Sequence, residues 1–286
     1  MVNSLDYLSS SILLEYIWLD SNGNIRSKMR TITDIHLINN IKINNSTNIE
    51  FFPLWNYDGS STGQGTTNQS EVLLYPVTYI QHPFQDDYTN IKTYLVLCET
   101  RDSIHNEPIT TNSRYAAEKL FSRFPDYQPL YGLEQEFFFF DRKSRTPNEY
   151  SNLDNDNKSK IEQGLYYCGN GSAQSLERKI MNNFLSRCLN CKLTISGINQ
   201  EVAPSQWEFQ VGPALGINAG DHFIFARFIL IRLAEKCDLT VNFHPKPFND
   251  WNGSGCHANF STKQTRSSNG ISEIYKIINM MSTYHT

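Results

Sequence analysis

The sequence predicts an α+β fold in two parts, a small strand-rich domain followed by a larger one in which helices alternate with short strands. Three observations predict it. A strand–turn–strand pattern begins at Glu15. The residue pattern changes after Pro108, and from there on helical patterns alternate with short apolar strands. With 286 residues, 39% of them hydrophobic and 13% aromatic, the chain can bury the core that such a fold requires.

The strand-like runs lie in the first hundred residues. An apolar, β-rich run from Glu15, a turn at residues 21–24 (SNGN) and a second run to Thr31 predict a hairpin. Two further runs, at residues 71–80 and 93–99, predict strands as well. The segment 58–67 is dense in Gly, Ser and Thr, so we expect a mobile loop or a loop shaped by a ligand.

Four helices are predicted after Pro108. In the second of them, Leu176, Ile180 and Phe184 recur every four residues, which indicates one buried face. The third is apolar nearly all round and predicts a core helix, and the fourth is amphipathic. The four spans are residues 112–124, which Asn112 caps, and residues 172–188, 223–239 and 271–281.

Charge and hydropathy exclude two classes of partner. The chain has 25 Lys and Arg against 29 Asp and Glu, a net charge of −4, and no basic stripe, so we expect no nucleic acid partner. The N-terminus lacks the cationic start and long apolar run of a signal peptide. The most apolar later stretch, residues 223–234, contains two arginines and is too short to span a bilayer. We therefore expect a cytoplasmic protein with no membrane contact.

Six cysteines are scattered along the chain, and a chain of this size folds without disulfides, so we expect reduced thiols. Cys188 and Cys191 form a C-x-x-C pair. No second pair completes a zinc site and no thioredoxin-like pattern surrounds them. We expect a structural pair near a helix end, with a redox or metal role as the alternative.

Paired carboxylates are the first sign of chemistry. Glu134 and Glu136 lie in the strand-like run YGLEQEFFFF, and their i, i+2 spacing puts both side chains on one face. One interpretation is a solvent-facing edge. The other is a shared divalent cation, which turns the repulsion between the carboxylates into coordination.

Two later segments add candidate ligands. Glu201 and Glu208 flank the turn at residues 203–205, and Glu208 lies on the polar face of an alternating strand, QWEFQV. That face is either solvent-exposed or turned into a cleft. His257 follows a glycine-rich approach, NGSG, that allows a ligand close to the backbone, although a lone histidine is more often structural.

The set of candidate ligands favours one class of metal. Four carboxylates and one imidazole fit Mg²⁺ or Mn²⁺ better than a structural zinc, and such ions normally lie beside nucleotide phosphates. The chain has no GxxxxGK[ST] loop and no protein-kinase motif set, so a site for ATP must be of another type.

Six segments together resemble one known family. In this order, WNYDGSSTGQ (55–64), GLEQE (132–136), YYCGNG (166–171), NQEVAPSQWEFQVGP (199–213), ARFILIRLAE (226–235) and HPKPFNDWNGSGCHANFSTK (244–263) are similar to glutamine synthetase of the eukaryotic type. The resemblance implies a β-grasp N-terminal domain, residues 1–105, and a glutamine-synthetase catalytic domain, residues 106–286. In the latter, antiparallel strands form a half-barrel with flanking helices around two or three Mg²⁺ or Mn²⁺ ions.

The resemblance also implies a reaction and a set of residues. ATP phosphorylates the side-chain carboxylate of glutamate, and ammonia displaces the phosphate from γ-glutamyl phosphate to give glutamine. By motif, the metal beside the substrate falls to Glu136, Glu201 and Glu208, and the metal between the ATP phosphates to Glu134 and His257. The remaining implied contacts are Asn252, Gly253 and Glu201 to glutamate, Glu134, Asn259 and Ser261 to the nucleotide, and Asp58 to ammonium, which it deprotonates in a neighbouring subunit's site.

Such a shared site implies homo-oligomeric rings, pentamers stacked in pairs. Three positions depart from the family's pattern in ways that can weaken binding: His244 in place of Asp, Asn170 in place of Val, and Leu130 where animal enzymes carry a tryptophan beside the nucleotide.

The family's pattern continues beyond the segment that matches the last residues of this chain. There it carries a flap glutamate, arginines that hold glutamate and phosphate, and a sixth metal ligand. The resemblance therefore implies a catalytic domain incomplete at its C-terminus, so we expect negligible synthesis unless an equivalent segment is supplied. An unpaired strand edge and uncovered apolar surface would also make the isolated chain poorly soluble.

Two alternatives to the synthetase stay open. One is a catalytically deficient homologue that binds metal or nucleotide, or associates with an intact synthetase. The other is a related ligase that uses a different amine, which WNYDGSST disfavours because it is close to the ammonia-using type.

Overall fold

The computed structural model describes residues 11–41, 47–88, 90–148, 164–171 and 175–284. The chain divides into two compact units, residues 1–119 and 120–286. Helix α2, Ser113–Arg123, crosses this division, so the domain limits of 1–105 and 106–286 stay a prediction. Asn112 caps this helix as predicted, because its Oδ1 accepts a hydrogen bond from the backbone N–H of Tyr115 at 3.2 Å.

The first unit contains a five-stranded mixed sheet with the order β2-β1-β5-β4-β3. Strands β1 and β5 pair in parallel at its centre, and the other pairs are antiparallel. A sheet with this parallel centre fits the predicted β-grasp fold, and the predicted hairpin is β1–β2. The strands are β1 Ile12–Leu19, β2 Ile25–Ile32, β3 Trp55–Asp58, β4 Glu71–Gln81 and β5 Lys92–Asp102.

One cluster of buried residues forms the core of this unit and includes helix α1, Ile35–Ile41. Ile38 and Ile41 of the helix belong to it together with Tyr16 and Trp18 of β1. A histidine–carboxylate hydrogen bond is buried in the same unit: the Nε2 of His82 lies 2.8 Å from Glu15 Oε2, and both residues are less than 5% exposed. Burial of the apolar side chains of the cluster stabilises the sheet.

The loop that follows Asp58 is compact. Its first residues form a 3₁₀ turn, Gly59–Thr62, and the turn closes through a hydrogen bond from Gln64 N to the carbonyl of Gly59 at 2.8 Å. Gly63 ends it in the left-handed region, with φ of 70°, which glycine adopts without strain. Its glycines thus serve the turn itself.

The second unit is built on an antiparallel sheet with the order β10-β6-β8-β7, while β9 pairs with the far half of β6. The curled sheet confirms the predicted half-barrel, and helices α3, Ser175–Asn190, and α4, Ile217–Glu235, pack on it. The strands are β6 Leu130–Asp141, β7 Ile195–Gln200, β8 Gln206–Leu215, β9 Leu239–Asn242 and β10 Cys256–Ser261.

Two predicted helices differ in detail from the observed ones. In α3, Ile180 and Phe184 are buried as predicted, but Leu176 is 40% exposed; residues 172–174 of the prediction lie outside the described ranges. Helix α4 begins six residues before its predicted start and ends before Asp238, whose φ of 57° breaks the helix. Leu239, predicted as the helix end, begins β9 instead.

Helix α5, Gly270–Tyr284, confirms the predicted fourth helix. Several of its apolar side chains are exposed to solvent among the described residues: Ile271 is 61%, Ile278 53% and Met281 51% exposed. No helix in the described ranges is both long enough and apolar enough to cross a membrane.

The C-x-x-C pair lies at the end of α3. Cys188 is fully buried, and burial raises the pKa of its thiol far above the usual value. Burial also raises the pKa of Cys191 to about 11. Because both thiols stay protonated at neutral pH, the pair fits a structural role better than a redox or metal role.

Candidate active site

The strand register of the second unit gathers the acidic residues on one face. Glu136 on β6 pairs directly with Glu208 on β8, and Glu134 on β6 pairs directly with His257 on β10. Directly opposed residues of an antiparallel pair share a face. Four of the predicted ligands therefore stand in two adjacent rows.

The fifth candidate reaches this face from a tight turn. Glu201 follows the end of β7, and its backbone N–H donates to the carbonyl of Gln206 at 2.9 Å. Ser205 adopts a φ of 59° inside the turn, so the chain reverses within a few residues and enters β8. This reversal returns Glu201 to the side of Glu136 and Glu208.

Three carboxylates converge. One oxygen each from Glu136, Glu201 and Glu208 lies within 4.8 Å of the other two. Glu208 is buried at 7% exposure, whereas the other two are partly open to solvent. Among the described residues, this is the group of His, Cys, Asp and Glu side chains whose ligand atoms meet closely enough to hold a metal ion.

The electrostatics of this cluster favour a cation. Burial raises the pKa of Glu201, and the charges of Glu136 and Glu208 raise it further. Burial likewise raises the pKa of Glu208, with a contribution from Glu134 and Glu136 and an opposing one from His257. A divalent ion relieves this repulsion, and carboxylate oxygens are the ligands that Mg²⁺ and Mn²⁺ prefer. The residues present therefore fit such an ion.

Amide side chains orient the carboxylates. Gln210 donates from Nε2 to Glu208 Oε1 at 2.6 Å and to Asn199 Oδ1 at 3.3 Å. Asn199 in turn donates from Nδ2 to Glu201 Oε1 at 3.0 Å. These amides were not predicted as functional, although strand alternation in QWEFQV already places Gln210 on the same face as Glu208.

Glu134 and His257 lie beside the cluster and outside the converging group. Glu134 Oε1 accepts a hydrogen bond from Asn259 Nδ2 at 2.7 Å. His257 is exposed and close enough for its charge to lower the pKa of Glu208. The structure thus joins three of the predicted ligands tightly and holds the other two on neighbouring strands.

A pocket of about 340 Å³ opens along the same strands. Glu134, Asn259 and Ser261 line it, and so does Leu130, so the predicted nucleotide residues share one cavity. Gly212 also lines it, with φ of 117°, a conformation that favours glycine. Because Glu134 and Gln210 are among its lining residues, the pocket adjoins the acidic face.

The predicted substrate residues Asn252 and Gly253 lie in the exposed loop before β10. The carbonyl of Gly253 accepts a hydrogen bond from Gln206 Nε2 at 2.8 Å. Further along, the backbone N–H of Gly255 donates to Glu136 Oε2 at 3.0 Å. The loop is thus tied directly to the acidic cluster.

Tyr167, in the segment YYCGNG, lies near the turn that carries Glu201, and it was not among the predicted site residues. Its backbone segment is fixed near the turn, since Cys168 N donates to the carbonyl of Gln200 at 3.0 Å. The pKa of its hydroxyl is raised, first by the Cys168 thiol and then by the charge of Glu201. The side chain is 57% exposed.

Asp58 belongs to the first unit. Its carboxylate accepts hydrogen bonds from Ser60 Oγ at 2.6 Å and Ser61 Oγ at 2.8 Å. These hydroxyls lower the pKa of Asp58, so the carboxyl group is ionised at neutral pH. The side chain is also exposed to solvent. A fixed, accessible negative charge suits a small cation.

Comparison with known proteins identifies the family. The model of the glutamine synthetase catalytic domain matches residues 111–284. The chain belongs to the glutamine synthetase family. Members of this family are glutamate–ammonia ligases that use ATP and a divalent metal to make glutamine, which confirms the predicted family and enzyme class. Glutamate, ammonium and ATP are the substrates that the family implies.

Relatives of the chain span several groups of organisms. It is 40% identical over 281 residues to a putative glutamine synthetase of Acanthamoeba polyphaga mimivirus, covering 97% of this chain and 74% of the relative. Glutamine synthetase of Saccharomyces cerevisiae is 40% identical, with 96% and 69% covered. The cytosolic isozyme of Daucus carota is 40% identical, with 97% and 74% covered. These names support the eukaryotic-type synthetase and give no specific support to a catalytically deficient homologue.

A solved structure shares the fold. It is described as apo GmaS without ligand, with a TM-score of 0.64 and 18% identity, and covers 92% of this chain and 58% of that chain. At this identity the likeness supports the architecture of the glutamine synthetase fold alone.

Proposed function

We propose that the converging carboxylates hold a divalent cation, Mg²⁺ or Mn²⁺, and that the chain uses this centre to ligate ammonia to glutamate. One observation carries the proposal: oxygens of Glu136, Glu201 and Glu208 meet within 4.8 Å in a member of a family of metal-dependent ligases. The bound cations would supply positive charge that offsets the charge of the phosphates during phosphoryl transfer.

The ligand set divides between two positions. Glu136, Glu201 and Glu208 bind the ion beside the substrate. Glu134 and His257, paired across β6 and β10, bind the ion beside the ATP phosphates. Their pairing in the sheet supports this division, because Glu134 pairs with His257 across β6 and β10, whereas Glu136 pairs with Glu208 across β6 and β8.

ATP occupies the pocket along β6, β8 and β10. Asn259 and Ser261 contact the nucleotide, and Asn259 also orients Glu134 through its 2.7 Å hydrogen bond. Phosphoryl transfer requires positioning and charge neutralisation more than covalent chemistry by the protein. A pocket that ends at the carboxylates supplies the positioning, and the cations that these carboxylates would hold would supply the positive charge.

Glutamate binds against the loop that carries Asn252 and Gly253, and Glu201 also contacts it. Its side-chain carboxylate attacks the terminal phosphorus of ATP, ADP leaves, and γ-glutamyl phosphate forms. Ammonia then attacks the acyl carbon, and phosphate leaves with the bonding pair of the broken C–O bond. Glutamine results, and the surplus proton of ammonium passes to a base.

Asp58 binds ammonium and takes that proton. Its carboxylate is ionised at neutral pH because two serine hydroxyls stabilise the charge, so it can attract a cation, and a carboxylate within hydrogen-bond reach can act as the base. We assign it to the site of a neighbouring subunit in a homo-oligomeric ring. We also place the protein in the cytoplasm, like the cytosolic isozyme that it resembles.

Glutamine formation by the purified protein from glutamate, ammonium and Mg-ATP tests the proposal. Glu208→Ala should lower the rate by at least about 100-fold, because it removes a ligand to an ion that stabilises the transition state. Glu235→Ala, at the exposed end of α4, is the matched control and should keep full activity.

A Glu208→Ala variant as active as wild type would contradict the assigned centre. Wild-type protein that binds Mn²⁺ and ATP but forms neither glutamine nor ADP would instead support the catalytically deficient alternative.

A further inference from the structure

The geometry points to Gln206 as a positioning residue that couples the loop at residues 253–255 to the metal ligand Glu136. The inference rests on the proposed function, because it assumes that Glu136 binds a cation and that the loop meets glutamate. It adds that the two events are linked through one buried amide, so that binding at either place favours binding at the other.

Both the oxygen and the nitrogen of the Gln206 side-chain amide form hydrogen bonds. At 1% exposure it has no access to solvent. Its Oε1 accepts from the backbone N–H of Ala203 at 3.2 Å. Its Nε2 donates to the Gly253 carbonyl at 2.8 Å and to Glu136 Oε2 at 3.3 Å. Because a primary amide has two N–H groups, both donors are committed, one to the loop and one to the carboxylate.

Glu136 is held from the same side a second time. Its Oε2 also accepts from the backbone N–H of Gly255 at 3.0 Å, while its own N–H donates to the Gly255 carbonyl at 3.0 Å. Oε2 therefore accepts two hydrogen bonds, one from the Gln206 amide and one from the loop backbone. The side-chain conformation in which Glu136 accepts the hydrogen bond from the loop is also the one in which it lies near Glu201 and Glu208.

Further hydrogen bonds hold the loop at residues 253–255 in place. Ser254, 2% exposed, donates from its N–H to the Pro245 carbonyl at 2.8 Å. Gln135 Nε2 donates to the Gly255 carbonyl at 3.2 Å. A shift of Gly253 would alter its bond to Gln206, and Gln206 would transmit that shift to Glu136.

Such a link has two measurable consequences. Partners of a metal-ligating residue typically contribute about 10–100-fold to metal affinity, so loss of the amide should weaken cation binding. If glutamate at the loop and the cation at the cluster share one set of hydrogen bonds, each must raise the affinity of the other by the same factor. Without the amide that factor should fall towards one.

Gln206→Met tests the link, because methionine fills the volume and removes the hydrogen bonds. Gln200→Met is the matched control: Gln200 is also 1% exposed, lies one strand away, and its side-chain amide has no hydrogen-bond partner among the described residues. The readout is Mn²⁺ affinity by electron paramagnetic resonance, with and without saturating glutamate, on protein whose folding is checked by thermal melting.

We expect Gln206→Met to bind Mn²⁺ about 10-fold or more weakly and to lose the effect of glutamate. We expect Gln200→Met to match wild type in both. A Gln206→Met protein that binds Mn²⁺ as wild type does, or that keeps the glutamate effect, would overturn the inference and leave the metal centre intact. A wild-type protein that takes up no Mn²⁺ would refute the metal centre itself, and the coupling with it.

A second measurement needs no variant and covers the case in which Gln206→Met does not fold. In wild-type protein, Mg²⁺ should slow amide hydrogen exchange in the peptide that contains residues 253–255, because fixing Glu136 stabilises its bond to Gly255 N. Exchange in this peptide that is indifferent to Mg²⁺, while Mn²⁺ competes with Mg²⁺ at the cluster, would also overturn the coupling.

Discussion

Glu208→Gln should stabilise the metal-free protein while it abolishes metal binding. The variant keeps the shape of the side chain, and its carbonyl oxygen can still accept the hydrogen bond from Gln210 Nε2, now 2.6 Å from Glu208 Oε1. Its new NH₂ group faces Glu136 and Glu201, so a donor replaces a charge that repels both carboxylates.

The magnitude follows from the spacing of the cluster. Two unit charges at 4.8 Å repel by about 3.5 kcal/mol at an effective dielectric constant near 20. Glu136 and Glu201 are partly exposed. Solvent screening therefore reduces the gain to about 1–3 kcal/mol. For a chain of this size each kcal/mol raises the melting temperature by about 2–4 °C.

Differential scanning calorimetry in EDTA and in Mg²⁺ measures both effects. The wild type should melt at a lower temperature than Glu208→Gln in EDTA, and at a higher temperature in saturating Mg²⁺. Glu235→Gln on the surface controls for the loss of a charge as such. A Glu208→Gln protein that melts below the wild type in EDTA, or that still gains stability from Mg²⁺, would refute the reasoning.

Three other perturbations test separate parts of the structure. Glu177 is fully buried and accepts a hydrogen bond from Trp207 Nε1 at 2.8 Å, and burial raises its pKa above the usual 4.5. The stability that it contributes is therefore present below pH 4.5 and lost as the pH rises through the folded-state value. Urea unfolding of Glu177→Gln should show less loss of stability with rising pH above 4.5 than wild type, and an unchanged pH profile would contradict this.

In the first unit, His82→Leu removes the buried partner of Glu15 and should cost about 3–5 kcal/mol in urea unfolding, whereas a cost below about 1 kcal/mol would show that the pair contributes little. Asp58→Asn should lower glutamine synthesis by about 100-fold or more at unchanged Mn²⁺ affinity, and full activity would remove Asp58 from the ammonium site.

Much of the fold could be predicted from local patterns. Alternation in β6 puts Glu134 and Glu136 on one face, and alternation in β8 puts Glu208 on the face opposite Trp207 and Phe209, because a two-residue period fixes the face of every residue in a strand. Leu176 shows the limit of the argument: its spacing matches Ile180 and Phe184, but it lies near the start of α3 and is 40% exposed. Periodicity gives the face of a helix and not how far the core extends along it.

The convergence of the site could not be derived from the sequence alone. Glu136 and Glu208 are 72 positions apart in the sequence, and only the register of β6 against β8 makes them neighbours. The glutamine and asparagine amides were missed for a related reason. Gln206 acts through Gly253 and Glu136, distant segments that meet in the folded sheet, and no local pattern marks such a contact. Resemblance to a family supplied the ligand set, whereas the structure supplied its hydrogen-bonded support.

Anomalous diffraction from crystals soaked in Mn²⁺ tests the central claim most directly. We expect one anomalous peak bounded by carboxylate oxygens of Glu136, Glu201 and Glu208, and loss of that peak in Glu208→Gln crystals treated in the same way. A peak bound by other side chains, or a cluster that stays empty at saturating Mn²⁺ in wild-type crystals, would contradict it.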